Sequence, residues 1–546
     1  MQAPEIPAID VWDCLFERAE KPFPNDHIIF KSPSGVRTYN DIRSRALNFG
    51  THLQSTWNWN KGDVLLTLSP NHIDTPSVFW GCHWAGGIFS PANPTYTAEE
   101  LKYQIIDSNA KAIVVHVYLL ETALAASKLV GFPSSHIWVL GAHSPVADLQ
   151  HVESMLSVTA TGRPRPSIEP AFDAACLVYS SGTTGSPKGA IVTHRNIVAD
   201  IILQRHVEGE FLDWRKDRLL ALIPTYHIFG LICLVHFPVL MGLQTTVMEK
   251  FSVNELLKNV KTDSITHIYV APPVVLHLAK NPSMTRDQLS SLRMITSGGA
   301  PLAPDLIRAV YDRLGVPVRQ AFGLTESTAV AHIQRWNRWK EAMGSNGPPI
   351  PSVEVKFINE EGNQIQQGEG ELCLRGPTIF RGYHNNDEAT SQSISSDGWF
   401  MSGDIGHQDE NGNLYITDRL KDLIKFKGFQ IPPAEIEGVL HEHPLVHDAA
   451  VVGVFIPRIA SEVPVAYVVL AKTTQKPEQV AGELLAYVAE KLSVQKRLRG
   501  GIIPIGEIPK GPSGKILKRA LRKRAEGVDE GKAIGAAIYD DRSSKL

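Results

Sequence analysis

Short apolar runs alternate with helical stripes through the first part of the chain. His27-Ile28-Ile29-Phe30, Val64-Leu65-Leu66-Thr67-Leu68 and Ala112-Ile113-Val114-Val115-His116-Val117 read as strands. Between them Ile42, Leu47, Phe49 and Leu53, then Leu101, Ile105 and Ile106, recur at helical spacing. Such alternation predicts α/β layers around a largely parallel sheet. The pattern loosens from Gly141 to Pro170, where polar residues and proline gather, and resumes at Ala174-Ala175-Cys176-Leu177-Val178. Further strands are expected at Leu219-Leu220-Ala221-Leu222-Ile223 and Met294-Ile295-Thr296. From Val353 to Arg381, alternating Val353, Val355 and Phe357, then Leu372 and Leu374 beside Gly368-Glu369-Gly370, predict a β-rich subdomain.

The character changes near Lys421. Pro433 opens an expected helix through Glu435, Ile436, Val439 and Leu440 that stops before Pro444. Strands are expected at Ala449-Ala450-Val451-Val452-Gly453-Val454 and Ala466-Tyr467-Val468-Val469-Leu470, followed by a helix with Val480, Leu484, Leu485, Val488 and Leu492 on one face. The expected fold is α/β. A large N-terminal unit, 1–420, carries layered α/β subdomains and the β-rich one, and a small hinged α+β unit, 421–546, follows. A length of 546 residues agrees with more than one core.

Composition narrows the function classes. The chain is 43% hydrophobic and 20% charged, with a net charge of -3, which gives no general attraction to nucleic acid or to an acidic membrane. The most apolar stretch, Ile228 to Leu243, is broken by Gly230, His236 and Pro238 and is short for a span of ~20 residues. No transmembrane segment is expected, and the N-terminus lacks a secretory pattern. Cys14, Cys82, Cys176, Cys233 and Cys373 have neither disulfide nor metal spacing and read as reduced, buried thiols. The last residues, Ser544-Lys545-Leu546, match a peroxisomal address read by an import receptor, behind a polar run.

The chemistry gathers at Tyr179-Ser180-Ser181-Gly182-Thr183-Thr184-Gly185-Ser186-Pro187-Lys188-Gly189. Hydroxyls and backbone N–H groups can wrap a polyphosphate, glycine admits close approach, and lysine adds charge. No Gly-Lys-Ser/Thr closes the run, so it is not a Walker loop, and Pro187 opposes a helix start there. Composition alone describes a plain surface loop equally well.

The run is similar to the signature of the adenylate-forming superfamily: acyl-CoA synthetases, peptide-synthetase adenylation domains and beetle luciferases. Several motifs occur in the family's order over nearly the whole chain, and the nearest likeness is to the 4-coumarate–CoA ligase-like branch. The resemblance implies ATP, Mg²⁺ and CoA as reactants or cofactor. Ser180, Ser181, Gly182, Thr183, Thr184, Gly185 and Lys188 would grip the ATP phosphates. Gln320-Ala321-Phe322-Gly323-Leu324-Thr325-Glu326 would stack adenine on Phe322, touch the α-phosphate through Thr325 and hold Mg²⁺ through Glu326. Asp404 would accept from the ribose hydroxyls, and Arg419 would make a second contact to ribose or phosphate.

By the same likeness Tyr226, His227, Phe229, Cys233, Gly298, Gly299, Ala321 and Ile333 form the acid pocket, with His227 near the carboxylate and Gly299 also touching the nucleotide. A lone histidine is otherwise more often a core residue. Lys250 and the hinge run Lys421, Lys425, Lys427 and Gly428 would meet CoA. Lys515, in Pro509-Lys510-Gly511-Pro512-Ser513-Gly514-Lys515, matches the family's terminal catalytic lysine. Ala321 stands where many relatives have glycine, which reshapes the acid pocket.

The activity implied is formation of an acyl-AMP and then an acyl-CoA from an aryl-alkanoic, cinnamic or medium-chain fatty acid. Two enzyme alternatives share the fold: an adenylation protein loading a carrier, and a luciferase-like monooxygenase. Against the latter, Thr225-Tyr226-His227-Ile228-Phe229 lacks paired histidines. An inactive nucleotide-binding scaffold is the reading from another class.

Overall fold

The computed structural model describes residues 3–142, 149–159, 161–180, 187–359, 361–420, 422–426, 429–456, 459, 461–492, 494–511, 514–525 and 533–534, without the side chains of residues 180, 429, 430 and 495. Among the sites expected from sequence, Ser181, Gly182, Thr183, Thr184, Gly185, Lys421, Lys427, Gly428 and the Ser544-Lys545-Leu546 tail lie outside the described residues, as does the side chain of Ser180.

Two large sheets form the N-terminal unit. One runs, in spatial order, Gln150–His151, Ile137–Leu140, Ala110–His116, Val64–Leu68, Ile88–Ala92, Ala174–Ser180 and Lys188–Thr193. All neighbours are parallel except the last pair. The other runs His332–Ile333, Val318–Phe322, Met294–Ser297, His267–Val270, Arg218–Ala221, Gln244–Val247, Ile28–Ser32 and Gly35–Thr38, antiparallel only at its two ends. The interior strands are apolar on both faces because helices cover both: Val64–Leu68 and His267–Val270 are buried at every residue.

Ala174–Ser180, after the loosened segment, is a strand, and Lys188–Thr193 pairs with it antiparallel as a second strand rather than a helix. Ser180 pairs with Lys188, as Pro187 foretold. The helix His194–Glu208 begins only afterwards, where Thr193 accepts the Asn196 amide and Asn196 caps the Thr193 amide in return.

The apolar stretch from Ile228 is a buried core segment, as expected. It enters a turn of π-helix over Leu231–His236 before the helix Phe237–Met241. All five cysteines are free and buried. No helix among the described residues is long and apolar enough to cross a membrane.

A five-stranded antiparallel sheet, in order Gln364–Ile365, Glu354–Ile358, Gly370–Arg375, Phe400–Gln408 and Leu414–Arg419, closes the N-terminal unit. Beyond it lies a separate hydrophobic core running from Ile424 to Ala533. There the helices Pro433–Glu442 and Pro477–Lys491 accompany the strands Val446–Ile456, Ser461–Leu470 and Ile502–Pro504. The molecule is thus a large α/β domain with a separate C-terminal α+β domain.

Candidate active site

The strand Arg218–Ala221 ends in a turn that Asn71 clamps. The Asn71 side chain donates to the carbonyls of Ala221, Ile223 and Met248 and accepts the Thr225 amide. Gly230 is required just beyond, since a Cβ there would lie 2.2 Å from the Pro224 carbonyl oxygen. This turn carries Tyr226, His227 and Phe229. His227 Nδ1 accepts the Phe229 amide at 3.3 Å, which puts the proton of the neutral ring on Nε2. Burial, and then the charge of Lys515, depress its pKa to about 3. His227 is therefore a neutral hydrogen-bond donor at physiological pH.

Thr325 and Glu326 sit on a tight turn after the strand Val318–Phe322. The chain doubles back so closely that a Cβ on Gly323 would overlap the Ala329 carbonyl oxygen at 1.3 Å, and Ala329 itself takes a φ of 83°. Ala331 donates to the Phe322 carbonyl to seal the turn. Tyr383 Oη–H donates to Glu326 Oε1 at 2.8 Å. Burial and the Glu326 charge raise the Tyr383 pKa, so the phenol stays a donor.

Lys188 Nζ lies over the Tyr383 ring, 5.1 Å from its centre. The lysine that closes the phosphate loop, one tyrosine and the candidate metal carboxylate are thereby gathered together. The segment holding Tyr383 is tied to the loop's outgoing strand, with Ile191 donating to Gly382 and His384 to Gly189.

Asp404 and Arg419 face each other across paired strands. Arg419 Nε donates to Asp404 Oδ1 at 2.8 Å, while Oδ2, buried, has no partner among the described residues. Burial raises the Asp404 pKa against the pull of Arg419 and Lys515, and the Asp404 charge in turn raises that of Arg419. A buried carboxylate oxygen without a donor is suited to a ligand hydroxyl.

Lys515 reaches this place from the other domain. Gly511 donates to the Lys515 carbonyl at 2.7 Å, Lys510 bridges Ile516, and Gly514 takes a φ of +81° to make the turn. Gly514 packs against Ala271 and Pro273 of the large domain. The Lys515 pKa is lowered by burial and by Arg419, opposed by Asp404 and Glu326. Its ammonium therefore lies within the field of all three and of His227. Elsewhere across the domains, Lys280 Nζ donates to the Val446 carbonyl at 2.7 Å and Ala434 donates to Asp418 at 3.2 Å.

Among the residues expected to line an acid pocket, the Phe229 ring rests on Gly298, where a Cβ would lie 3.2 Å from the ring and 3.4 Å from the Ala321 carbonyl. Ala321 pairs with Ile333. Gly299, with a φ of +84°, has open space where a side chain would project. Cys233 is fully buried, and its thiol donates to Gln204. Tyr226 lines a cavity together with Phe79, Phe89, Leu231 and Val247.

The Gln320 side-chain amide donates to the Ser345 carbonyl, and its backbone N–H donates to the Gln334 side chain. Lys250 and Lys425 are exposed. Tyr383 was missed from sequence. The short run Arg381-Gly382-Tyr383-His384 at the end of the β-rich segment was the only local sign of it.

Residues 16–384 match the model of the AMP-binding enzyme family, and residues 435–515 that of the AMP-binding enzyme C-terminal domain. A 4-coumarate–CoA ligase of Oryza sativa subsp. japonica is 35% identical over 485 residues, covering 87% of this chain and 85% of that one. A putative acyl-coenzyme A synthetase of Emericella nidulans is 32% identical over 542 residues, covering 95% and 97%. Among solved structures, an anthranilate CoA ligase in complex with anthranoyl-AMP superposes with a TM-score of 0.87 at 24% identity, covering 97% of this chain and 100% of that one. With matches along both domains and these identities, the chain belongs to the AMP-binding enzyme family, the adenylate-forming acid–CoA ligases.

Proposed function

We propose that the protein activates an aryl-alkanoic, cinnamic or medium-chain fatty acid with ATP and passes the acyl group to CoA. One observation carries the reading. Lys515 of the C-terminal domain lies in the field of Asp404, Glu326, Arg419 and His227, the groups that resemblance assigns to nucleotide and acid.

A carboxylate attacks the α-phosphorus of ATP in line, displacing pyrophosphate and leaving an acyl-AMP. Little proton transfer is required, and the work is alignment and neutralisation of charge. Asp404 Oδ2 accepts from the ribose, with Arg419 beside it. Phe322 offers a flat face to adenine and Thr325 a hydroxyl to the α-phosphate. Lys188 and the preceding loop take the leaving phosphates. Lys515 bridges the attacking carboxylate and the α-phosphate, and the His227 Nε2–H donor orients the acid. The donor set fits magnesium, since the ion commonly binds through one or two carboxylates plus substrate phosphates, and Glu326 is positioned by Tyr383 beside Lys188. When bound, Mg²⁺ would neutralise charge on the β- and γ-phosphates.

Thioester formation needs Lys515 withdrawn. Rotation of the C-terminal domain about the segment at Lys421 would remove it and bring the Lys427-Gly428 segment toward the thiol. The bonds from Lys280 to Val446 and from Ala434 to Asp418 belong to the orientation seen here and would break.

A mass-spectrometric screen of carboxylic acids with ATP, Mg²⁺ and CoA tests the proposal, with acyl-CoA and AMP as the expected products. Acyl transfer to a carrier protein but not to CoA would overturn the choice of acceptor. The Ser544-Lys545-Leu546 terminus supports a peroxisomal location. A fluorescent fusion at the N-terminus should be peroxisomal, and deletion of the tripeptide should release it to the cytosol.

A further inference from the structure

Asp200 lies fully buried on the helix His194–Glu208, and no step above uses it. Its carboxyl meets two donors. Gln204, one turn further along the same helix, donates to Oδ1, and the Val330 backbone N–H donates to Oδ2 at 3.2 Å. Burial pushes the Asp200 pKa well up, opposed by those two bonds.

Val330 stands on the return of the turn that carries Thr325 and Glu326. The amides on either side of it close that turn on itself, Ala329 donating to the Leu324 carbonyl at 3.2 Å and Ala331 to the Phe322 carbonyl at 2.9 Å. The Val330 amide leaves the turn for Asp200. Just before it, Thr328 and Ala329 take φ angles of 54° and 83°. Residues with side chains resist that conformation, a β-branched threonine most of all, and it persists only where the surroundings impose it. The Thr328 hydroxyl donates to the Thr378 carbonyl at 2.6 Å. The strained pair is thus fastened at its start through Thr328 and just past its end by Asp200.

A carboxyl in a core is costly unless its hydrogen bonds are needed. An apolar side chain would fill the same volume, but it would leave the buried Val330 amide without an acceptor. The position therefore serves the far side of that bond.

We infer that Asp200 is a positioning residue for adenylate formation: by holding the Val330 amide it fixes the strained return of the turn, and so sets Thr325 and Glu326 toward the α-phosphate and magnesium. The inference rests on the acid–CoA ligase reading and adds to it a residue that touches neither substrate nor metal. Because Asp200 belongs to the helix that follows the phosphate loop, the two parts that would handle the ATP phosphates are braced against each other.

Three variants test it, with cinnamate and octanoate as the acids. Asp200→Asn keeps an acceptor of the same reach and should stay close to the native enzyme in every assay. Asp200→Ala removes the acceptor, and its acid-dependent ATP–pyrophosphate exchange should fall roughly tenfold to hundredfold, since small misplacements of positioned groups cost that much. The magnesium concentration giving half-maximal exchange should rise, and calorimetric affinity for Mg-ATP should weaken. Thioester formation from synthetic cinnamoyl-AMP or octanoyl-AMP and CoA should persist. Asp200→Leu fills the core with an apolar group and answers the same questions if Asp200→Ala does not fold. Urea unfolding reads the structural cost separately. A variant that unfolds in less urea yet keeps native exchange and native magnesium dependence overturns the inference. So does equal loss in both half-reactions, or an Asp200→Asn enzyme as impaired as the apolar variants. Absence of exchange in the native enzyme with either acid would count against the ligase reading instead. Calorimetric Mg-ATP affinity would then judge Asp200 alone, and equal values for native protein and variants would overturn its role.

Discussion

Arg419 engages only one oxygen of Asp404. The guanidinium Nε donates to Oδ1 at 2.8 Å, and Oδ2 remains buried without a donor among the described residues. Asp404 is buried while Arg419 is partly exposed, and a buried carboxylate oxygen left open is suited to a ligand hydroxyl.

Asp404→Asn should therefore weaken ATP binding more than turnover. It replaces charge-assisted acceptance from the ribose with a neutral contact and leaves Arg419 without its carboxylate. A hydrogen bond to a charged group is worth about 1.5–3 kcal/mol, so the KM for ATP should rise roughly tenfold to hundredfold. The contact is made alike in ground and transition states, so kcat should change less. Steady-state kinetics over ATP concentration separates the two. A fall confined to kcat would place Asp404 in the chemistry instead.

Lys515→Ala should divide the two half-reactions. Its ammonium is held by the C-terminal domain within the field of Glu326 and Asp404, the orientation in which a carboxylate and an α-phosphate could be bridged. Loss of one preorganised contact of this kind costs on the order of 2.7–4 kcal/mol of barrier, a few hundredfold in rate. Acid-dependent ATP–pyrophosphate exchange should fall by that factor, while thioester formation from synthetic acyl-AMP and CoA persists. Equal loss in both assays would contradict the withdrawal of Lys515 between steps.

Much of this arrangement was legible in the sequence where its signals are local. The alternation that predicts Val64–Leu68, the proline that forbids a helix at Lys188, and the glycine-framed turn presenting Lys515 each act through their own neighbours. Tyr383 was not legible, because its partner Glu326 lies 57 residues away and only the sheet brings them together. Nor was the bond from the Gln320 side chain to the Ser345 carbonyl, which the fold makes across 25 residues. The π-helical turn at Leu231–His236 also escaped, since composition there says only that the segment is buried.

Glu208 and Arg319 form a fully buried bidentate pair, with contacts of 2.9 and 2.6 Å. The pair joins the end of the helix His194–Glu208, which follows the phosphate loop, to the strand Val318–Phe322, which carries Phe322. Thr296 accepts from the same arginine, and Trp336 Nε1 donates to the same glutamate. Glu208→Gln keeps the shape but strands a buried guanidinium, and should destabilise the large domain by about 3–5 kcal/mol. Replacing both, Glu208→Leu with Arg319→Met, should recover most of that loss. Urea unfolding of the three proteins measures it. A near-native midpoint for Glu208→Gln would show that the pair contributes little.

Buried imidazoles set the acid limit of stability. His194 and His332 are fully covered, and burial lowers the pKa of each to about 3. His83, His236 and His267 are depressed for the same first reason, burial. For a histidine depressed on folding, the unfolded chain binds the proton first. Its contribution is therefore intact above the unfolded value near 6.5 and is lost as pH falls toward the folded value. At pH 5 the unfolded state gains about 2 kcal/mol from each of His194 and His332. The melting temperature should hold steady from pH 8 to about 7 and then decline steeply between about 6.5 and 4. His332→Gln cannot take up a proton, so its melting curve should lose less over that interval than the native curve does. An unchanged slope would mean that His332 does not enter the acid transition.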